Sequence, residues 1–221
     1  DSRGRVGIMD HRCPHRCASL FFGRNEEGGI RCVYHGWKFD VEGNCLDMAN
    51  VPAHQDFKHK VHAKAYKTAE VGGLVWVYMG TAAEAPPPPD FEPLHVPDSE
   101  RRITAIQREC NYLQALEGDL DTSHFGFLHA GSVKDDEVPP DHPNRFTVYN
   151  RAPEYEVADT LGGTMYGAYR PAEPGMTHWR IAHFLFPFFT TPPDGDLETR
   201  LLMRAWLPMD DTHTMMFQIA W

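Results

Sequence analysis

Two cysteine–histidine pairs stand near the start of the chain, Cys13 with His15 and Cys32 with His35, with sixteen residues between His15 and Cys32. Two thiolates and two imidazoles in this order suit a 2Fe–2S centre in which two histidines replace two cysteines on one iron. One residue separates the first pair and two separate the second, so each pair is able to grip from the tip of a tight loop. A structural zinc site draws on the same donors in a tetrahedral shell, and ligand types alone leave that alternative open. The residues around the second pair are more specific: Tyr34, Gly36, Trp37, Phe39 and Asp40 complete a Y-H-G-W-x-F-D string.

A second constellation follows later, Glu117, Asp121, His124 and His129, written E-x-x-x-D-x-x-H-x-x-x-x-H. The preceding stretch, Asn111 to Leu120, holds good helix formers, with Leu113, Leu116 and Leu120 at helical spacing. If the helix continues, steps of three and four place Glu117, Asp121 and His124 on one face. His129 then requires a break, which Gly126 can supply. Two imidazoles presented together suit a non-haem Fe(II) site of the two-His-one-carboxylate kind. A capped core helix with incidental histidines is the structural alternative.

The elements that must hold these residues follow from patterning. Arg5 to Asp10, Ile30 to Val33 and Leu74 to Met79 are predicted strands. A hairpin is expected at Gly28-Gly29, and another from Lys38–Asp40 to Cys45–Asp47 across Glu42-Gly43-Asn44. His54, His59 and His62 lie in a polar stretch and are expected in a solvated loop. Four successive prolines, Pro86 to Pro89, favour a stiff extended spacer. The domain boundary is placed there: 1–83, a small all-β unit; 84–98, a proline-rich linker; 99–221, a second domain. Beyond the helix, strands are expected at Arg101 to Cys110, Phe146 to Asn150, Tyr155 to Thr160, Met165 to Arg170, Trp179 to Phe189, Arg200 to Leu207 and Thr214 to Trp221, with a turn at Gly162-Gly163. Phe184, Phe186, Phe188, Met203, Met215 and Phe217 are candidates to line an aromatic pocket.

Composition narrows the partners. The chain has 221 residues, 21 basic and 31 acidic, and a net charge of −10, which argues against nucleic acid or an anionic membrane. The longest apolar run, Phe184 to Phe189, contains Pro187 and is far too short to span a bilayer. No signal-peptide pattern is visible, and the absence of an initiator methionine suggests a slice of a longer protein. Five cysteines form an odd, sparse set that reads as a reducing compartment, so a cytoplasmic location is expected. Cys17 is expected to be a small buried residue beside the cluster and not a fifth ligand.

The stretch from Cys13 to Asp40 resembles the Rieske cluster-binding motif. Together with the second constellation it is similar to the large (alpha) subunit of Rieske non-haem iron aromatic-ring-hydroxylating oxygenases, nearest the phthalate and phenoxybenzoate dioxygenase branch, with vanillate-type O-demethylases as relatives. The resemblance implies an α+β chain: a Rieske domain lacking its N-terminal part, then a helix-grip catalytic domain on a curved antiparallel sheet, lacking its C-terminal part. It implies a 2Fe–2S cluster on Cys13, His15, Cys32 and His35, and a mononuclear Fe(II) on His124 and His129. An NADH-dependent reductase would feed the cluster singly, and O₂ and an aromatic substrate would meet at the iron to give a cis-diol; a demethylase would hydroxylate a methyl group. The third iron ligand of the family comes from a late helix. Only 92 residues follow His129, and Asp210 and Asp211 fall in a predicted turn, so that carboxylate is expected outside this chain. The resemblance further implies a homotrimer in which Asp121 bridges to His15 or His35 of a neighbouring subunit. Arg151, Arg170, Arg180 and Arg204 are candidates to pair with a substrate carboxylate. A Rieske electron carrier without oxygenase activity is the reading from another class, and the second histidine pair argues against it.

Overall fold

The computed structural model describes residues 1–142, 144–193 and 201–221, which fall into two units, Asp1–Leu94 and His95–Trp221. The expected spacer at 84–98 straddles that division. Among the described residues no helix is long and apolar enough to cross a membrane.

Short runs of strand-forming residues build the first unit. Its strands are β1 (Ile8–Met9), β2 (Arg24–Glu26), β3 (Gly29–Arg31), β4 (Trp37–Phe39), β5 (Cys45–Met48), β6 (Ala65–Val71) and β7 (Leu74–Tyr78). They form a four-stranded sheet in the order β2-β3-β4-β5 and a three-stranded sheet in the order β1-β6-β7, antiparallel throughout. Glu27 and Gly28 carry the β2–β3 turn with φ of +51° and +77°, the paired left-handed geometry that matches strand twist in a two-residue hairpin. The turn therefore lies one residue before the expected Gly28-Gly29, and Gly29 opens β3. At the β4–β5 turn the Asp40 carboxylate accepts the N–H groups of Glu42 and Asn44 at 3.0 and 2.8 Å. The expected strand at Arg5 to Asp10 narrows to Ile8–Met9. His54, His59 and His62 are exposed, as a solvated loop requires.

Phe39 is fully buried at the centre of this unit, in one cluster with Leu20, Trp37, Met48 and the two ligand-candidate cysteines. The core and the cysteine loops are thus one packed body. Phe39→Ala should lower the unfolding free energy of this unit by about 3–5 kcal/mol. Urea titration followed by near-ultraviolet dichroism checks this, and a loss below about 1 kcal/mol would show that the core closes over the gap.

The second unit contains β8 (Arg102–Arg108), α1 (Tyr112–Leu120), α2 (Arg145–Tyr149), β9 (Glu154–Thr160), β10 (Gly163–Pro171), β11 (Thr177–Leu185), β12 (Phe189–Thr191), β13 (Leu202–Pro208) and β14 (Thr214–Ala220). The strands make one antiparallel sheet in the order β8-β14-β13-β12-β11-β10-β9. Asn111 caps α1 by accepting the Leu113 N–H at 3.0 Å, the side-chain acceptor that an orphan first-turn donor needs. The helix packs on β11, β12 and β13. Its inward stripe is Tyr112, Ala115, Leu116 and Leu120, set against Trp206 and Met216; Leu113, expected in that stripe, is half exposed.

Several expectations are corrected here. Phe146 to Asn150, expected as a strand, lies in and just after the short helix α2. Its β-branched Thr147 and Val148 suggested a strand, but one helical turn buries both. The run Trp179 to Phe189 is two strands, since the chain reverses to pair Leu185 with Phe189. The β9–β10 turn is Leu161-Gly162, and Gly163 already pairs with Thr160. The expected start of a strand at Arg200 lies outside the described residues.

Candidate metal centres

Each cysteine of the first constellation closes its own loop with its own backbone. Cys13 donates its N–H to Ala18 O at 2.8 Å and accepts the Cys17 N–H at 2.9 Å; Cys32 donates to Trp37 O at 2.8 Å and accepts the Gly36 N–H at 3.0 Å. The fourth residue after each cysteine is left-handed, Cys17 at φ +56° and Gly36 at φ +76°. The two loops therefore share one hydrogen-bond pattern and one backbone irregularity. Cys17 is exposed, which corrects the expectation that it packs beside the cluster: it occupies a backbone position that glycine adopts at least cost.

The side chains converge. Cys13 and Cys32 are both 2 % exposed, and burial pushes the Cys13 thiol up, with Cys32 beside it adding to the shift. The His15 and His35 rings lie 4.5 Å apart between centroids. The Trp37 indole stacks on His15 at 4.3 Å and 8° and is itself fixed by donating Nε1–H to Asn50 Oδ1 at 2.8 Å. A residue of the second loop thereby orients a donor of the first. His15 Nδ1 is buried without a hydrogen-bond partner, a state that costs about 1–3 kcal/mol unless another group takes its lone pair. Burial lowers the His15 pKa, with His35 and Arg16 acting in the same direction, so the imidazole is neutral, the form that ligates metal. Two buried thiols beside two imidazoles, one of them with an orphaned buried Nδ1, fit a mixed Cys/His 2Fe–2S cluster.

The second constellation departs from the expected continuous helix. α1 stops at Leu120, and Asp121 is its C-cap, with its N–H on Glu117 O at 3.0 Å and extended dihedrals. Glu117 is exposed and takes no part. The chain then turns because Asp121 Oδ1 accepts the Ser123 N–H at 2.7 Å, an Asx turn. That turn brings His124 Nδ1 to 3.2 Å from Asp121 Oδ2, so the carboxylate accepts a hydrogen bond from Nδ1–H in the tautomer whose Nε2 keeps its lone pair. Residues His124–Gly126 form a 3₁₀ turn, and the His129 ring returns to place its Nε2 3.1 Å from His124 Nε2. Two imidazole nitrogens, each about 2.1 Å from one ion and about 90° apart, would stand about 3.0 Å from each other. This pair would hold one metal ion through both Nε2 atoms.

Neighbouring elements hold the turn in place. The Tyr166 hydroxyl on β10 donates to the Leu120 carbonyl, satisfying an orphan acceptor at the helix end. Arg180 on β11 donates to Thr122 Oγ1 at 2.8 Å and to Asn144 Oδ1 at 2.9 Å, and its guanidinium lies 4.7 Å from the Phe125 ring centre. Phe125 in turn stacks on His129. Arg151 donates to the carbonyls of Gly126 and Val133, so it ties the loop after His124 to itself.

A cavity of about 450 Å³ opens over the histidine pair, with Asp119, Asp121, Arg180, Arg204 and Trp206 among its walls. None of the expected aromatic and methionine candidates lines it: Phe184 and Phe188 pack under α1, Met203 is buried and Phe186 is exposed. Of the four candidate arginines, Arg180 and Arg204 reach the cavity, whereas Arg170 is buried and donates to Thr147 Oγ1. Asp119 was missed from sequence. It accepts from Arg204, from Thr190 Oγ1 at 2.5 Å and from Trp206 Nε1 at 3.2 Å. The available signal was a carboxylate at an inward position of an otherwise apolar stripe, which requires buried partners. Asp210 lies away from this cavity's walls, in the β13–β14 turn, where the Thr212 N–H, with His213 beside it, holds its carboxyl down at about 2.

Known proteins are similar to this chain. The family described as the Rieske 2Fe-2S domain matches residues 1–69, and that described as LigXa C-terminal domain like matches residues 77–221. The 3-chlorobenzoate-3,4-dioxygenase oxygenase subunit of Comamonas testosteroni is 53 % identical over 99 % of this chain and 50 % of its own length. The phthalate 4,5-dioxygenase oxygenase subunit of Pseudomonas putida is 38 % identical over 100 % of this chain and 52 % of its own. The chain thus spans about half the length of the curated relatives it matches. Dicamba monooxygenase bound to 3,6-dichlorosalicylic acid shares the fold, with a TM-score of 0.73 at 20 % identity over 99 % of this chain and 67 % of that one.

The shared loop pattern yields a prediction. Cys17→Gly should leave cluster content and visible spectrum unchanged and raise the unfolding free energy by about 0.5–1 kcal/mol, because glycine relieves the left-handed strain. Iron and sulfide analysis with thermal unfolding checks this, and loss of the cluster would show that the Cys17 thiol is a ligand.

Proposed function

The chain belongs to the Rieske non-haem iron oxygenases, and on that premise we propose that it is the terminal oxygenase component of a system that cis-dihydroxylates an aromatic carboxylate, using O₂ and electrons from an NADH-dependent reductase. The observation that carries this reading is the pair of Nε2 atoms 3.1 Å apart beneath a cavity that two arginines line. The similar proteins named for 3-chlorobenzoate and phthalate, both aromatic carboxylates, support the substrate class. When bound, the 2Fe–2S cluster supplies single electrons and the ferrous iron activates dioxygen.

The chain's own residues then have separate tasks. Cys13, His15, Cys32 and His35 hold the cluster, the thiols as thiolates and the imidazoles neutral. His124 and His129 would hold the iron through Nε2. Asp121 holds the proton at His124 Nδ1, which fixes the ring's tautomer and raises the basicity of Nε2. Arg204 on the cavity wall is paired with Asp119, so Arg180 is the wall cation that would meet a substrate carboxylate, and Phe125 and Trp206 offer apolar faces to its ring. The Asp121 side chain is 45 % exposed, which leaves it accessible to a second subunit. The assembly is a homotrimer in which His15 or His35 of one subunit faces Asp121 of the next, giving a closed ring of equivalent contacts.

Two experiments test this. With the full-length protein and its reductase, 3-chlorobenzoate, phthalate or phenoxybenzoate should yield a cis-diol. Formaldehyde from vanillate would instead make the protein an O-demethylase, and no product from any of the four would defeat the substrate class. Asp121→Asn should leave both metal centres loaded while single-turnover oxidation of the cluster, with substrate and O₂ present, slows by about 100-fold. An unchanged rate would make Asp121 a helix cap and nothing more.

A further inference from the structure

Two buried cations flank the second cysteine loop. Arg31 immediately precedes Cys32, Lys38 immediately follows Trp37, and the two face each other across β3 and β4. Both are largely buried, at 9 % and 7 % exposed, which is uncommon for these residues unless they are paired. Their partners are three carboxylates on neighbouring turns and strands. Arg31 donates through Nε to Glu26 and through Nη1 to Asp47 Oδ2 at 2.6 Å, with Glu27 3.5 Å from Nη2. Lys38 Nζ donates to Glu27 Oε2 at 2.6 Å.

Ion pairing alone does not account for the remaining contact. Arg31 Nη1 also donates to the carbonyl of Gly36 at 2.7 Å. Gly36 follows His35 directly and is the left-handed residue that turns the loop; a Cβ there would come within 2.8 Å of Ala49 Cβ, so the backbone at this point has little freedom. A planar guanidinium can span a carbonyl and a carboxylate at once, which an ammonium cannot do in the same geometry. Arg31 therefore joins the Gly36 carbonyl, one residue after His35, to Asp47 on β5.

We propose that Arg31 is a positioning residue for the second cluster loop: by clamping Gly36 O to Asp47 it fixes the orientation of His35, and its buried charge raises the reduction potential of the cluster. This rests on the reading that Cys32 and His35 are cluster ligands. Reduction adds negative charge to the cluster, and Arg31, next to Cys32 in sequence, offsets the negative charge of Glu26, Glu27 and Asp47 there, so losing its charge disfavours the reduced form. Geometry and charge are separable because they depend on different properties of the side chain.

The test uses the full-length protein and measures iron and sulfide content, the electron paramagnetic resonance signal of the reduced cluster and its reduction potential. Arg31→Gln removes both charge and clamp, so the signal should shift and the potential should fall. Arg31→Lys keeps the charge and loses the two-point clamp: the signal should shift while the potential stays near that of the unmutated protein. Asp47→Asn keeps Arg31 and removes one anchoring charge, so the potential should rise; it also serves should Arg31→Gln fail to fold. If Arg31→Gln, or in its place Asp47→Asn, loads a cluster with unaltered signal and potential, the proposal is overturned and Arg31 is a structural ion-pair partner only. An unmutated protein without the mixed Cys/His signal would overturn the ligand assignment, and this proposal with it.

Discussion

A single hydrogen bond, from His124 Nδ1 to Asp121 Oδ2 at 3.2 Å, sets the terms for the second unit. An imidazole has two nitrogens and one proton when neutral, so the nitrogen that donates its N–H to a partner leaves the other to ligate. Asp121 makes that decision here, and the surrounding structure makes Asp121 dependable. The helix ends at Leu120 and Tyr166 anchors that end. The Asx turn then closes on Ser123, and Arg180 holds the intervening Thr122, which is 2 % exposed. The 3.1 Å approach of the two Nε2 atoms is the outcome of these constraints.

The first unit reaches the same end by different means. Its donors sit on two loops that their own cysteines close, and the histidine of one loop is oriented by the tryptophan of the other. Burial supplies the rest: it keeps the His15 imidazole neutral and leaves its Nδ1 unpartnered inside the protein. Arg31 and Lys38, both largely buried, meet three carboxylates beside the second loop. A buried cation that lost its carboxylates would be strongly destabilising, so the three carboxylates are part of that loop's scaffold.

The candidate donors were named from residue type and spacing together with the family resemblance, and the structure brings the His15 and His35 rings together and the His124 and His129 rings together. The β4–β5 hairpin followed from its turn residues. The route by which Asp121 meets His124 was not legible. Helical spacing of three predicts the same contact as an Asx turn, and nothing in Leu120-Asp121-Thr122 distinguishes the two before Tyr166, forty-six residues away in sequence, is placed. The cavity wall was misread for a related reason. Phe184 and Phe188 have the composition of a pocket, but strand pairing turns them under α1, and the walls come instead from residues on α1, the turn after it and distant strands. Asp119 was overlooked since its partners Thr190, Arg204 and Trp206 lie on β12 and β13, and long-range pairing leaves no local signature.

The most direct measurement is a crystallographic anomalous map at the iron edge from the full-length protein loaded with iron. It should show one peak within about 2.1 Å of both His124 Nε2 and His129 Nε2, with Asp121 still on His124 Nδ1. A peak bound through Nδ1 of either ring, or one that reaches only one of the two histidines, would contradict the account.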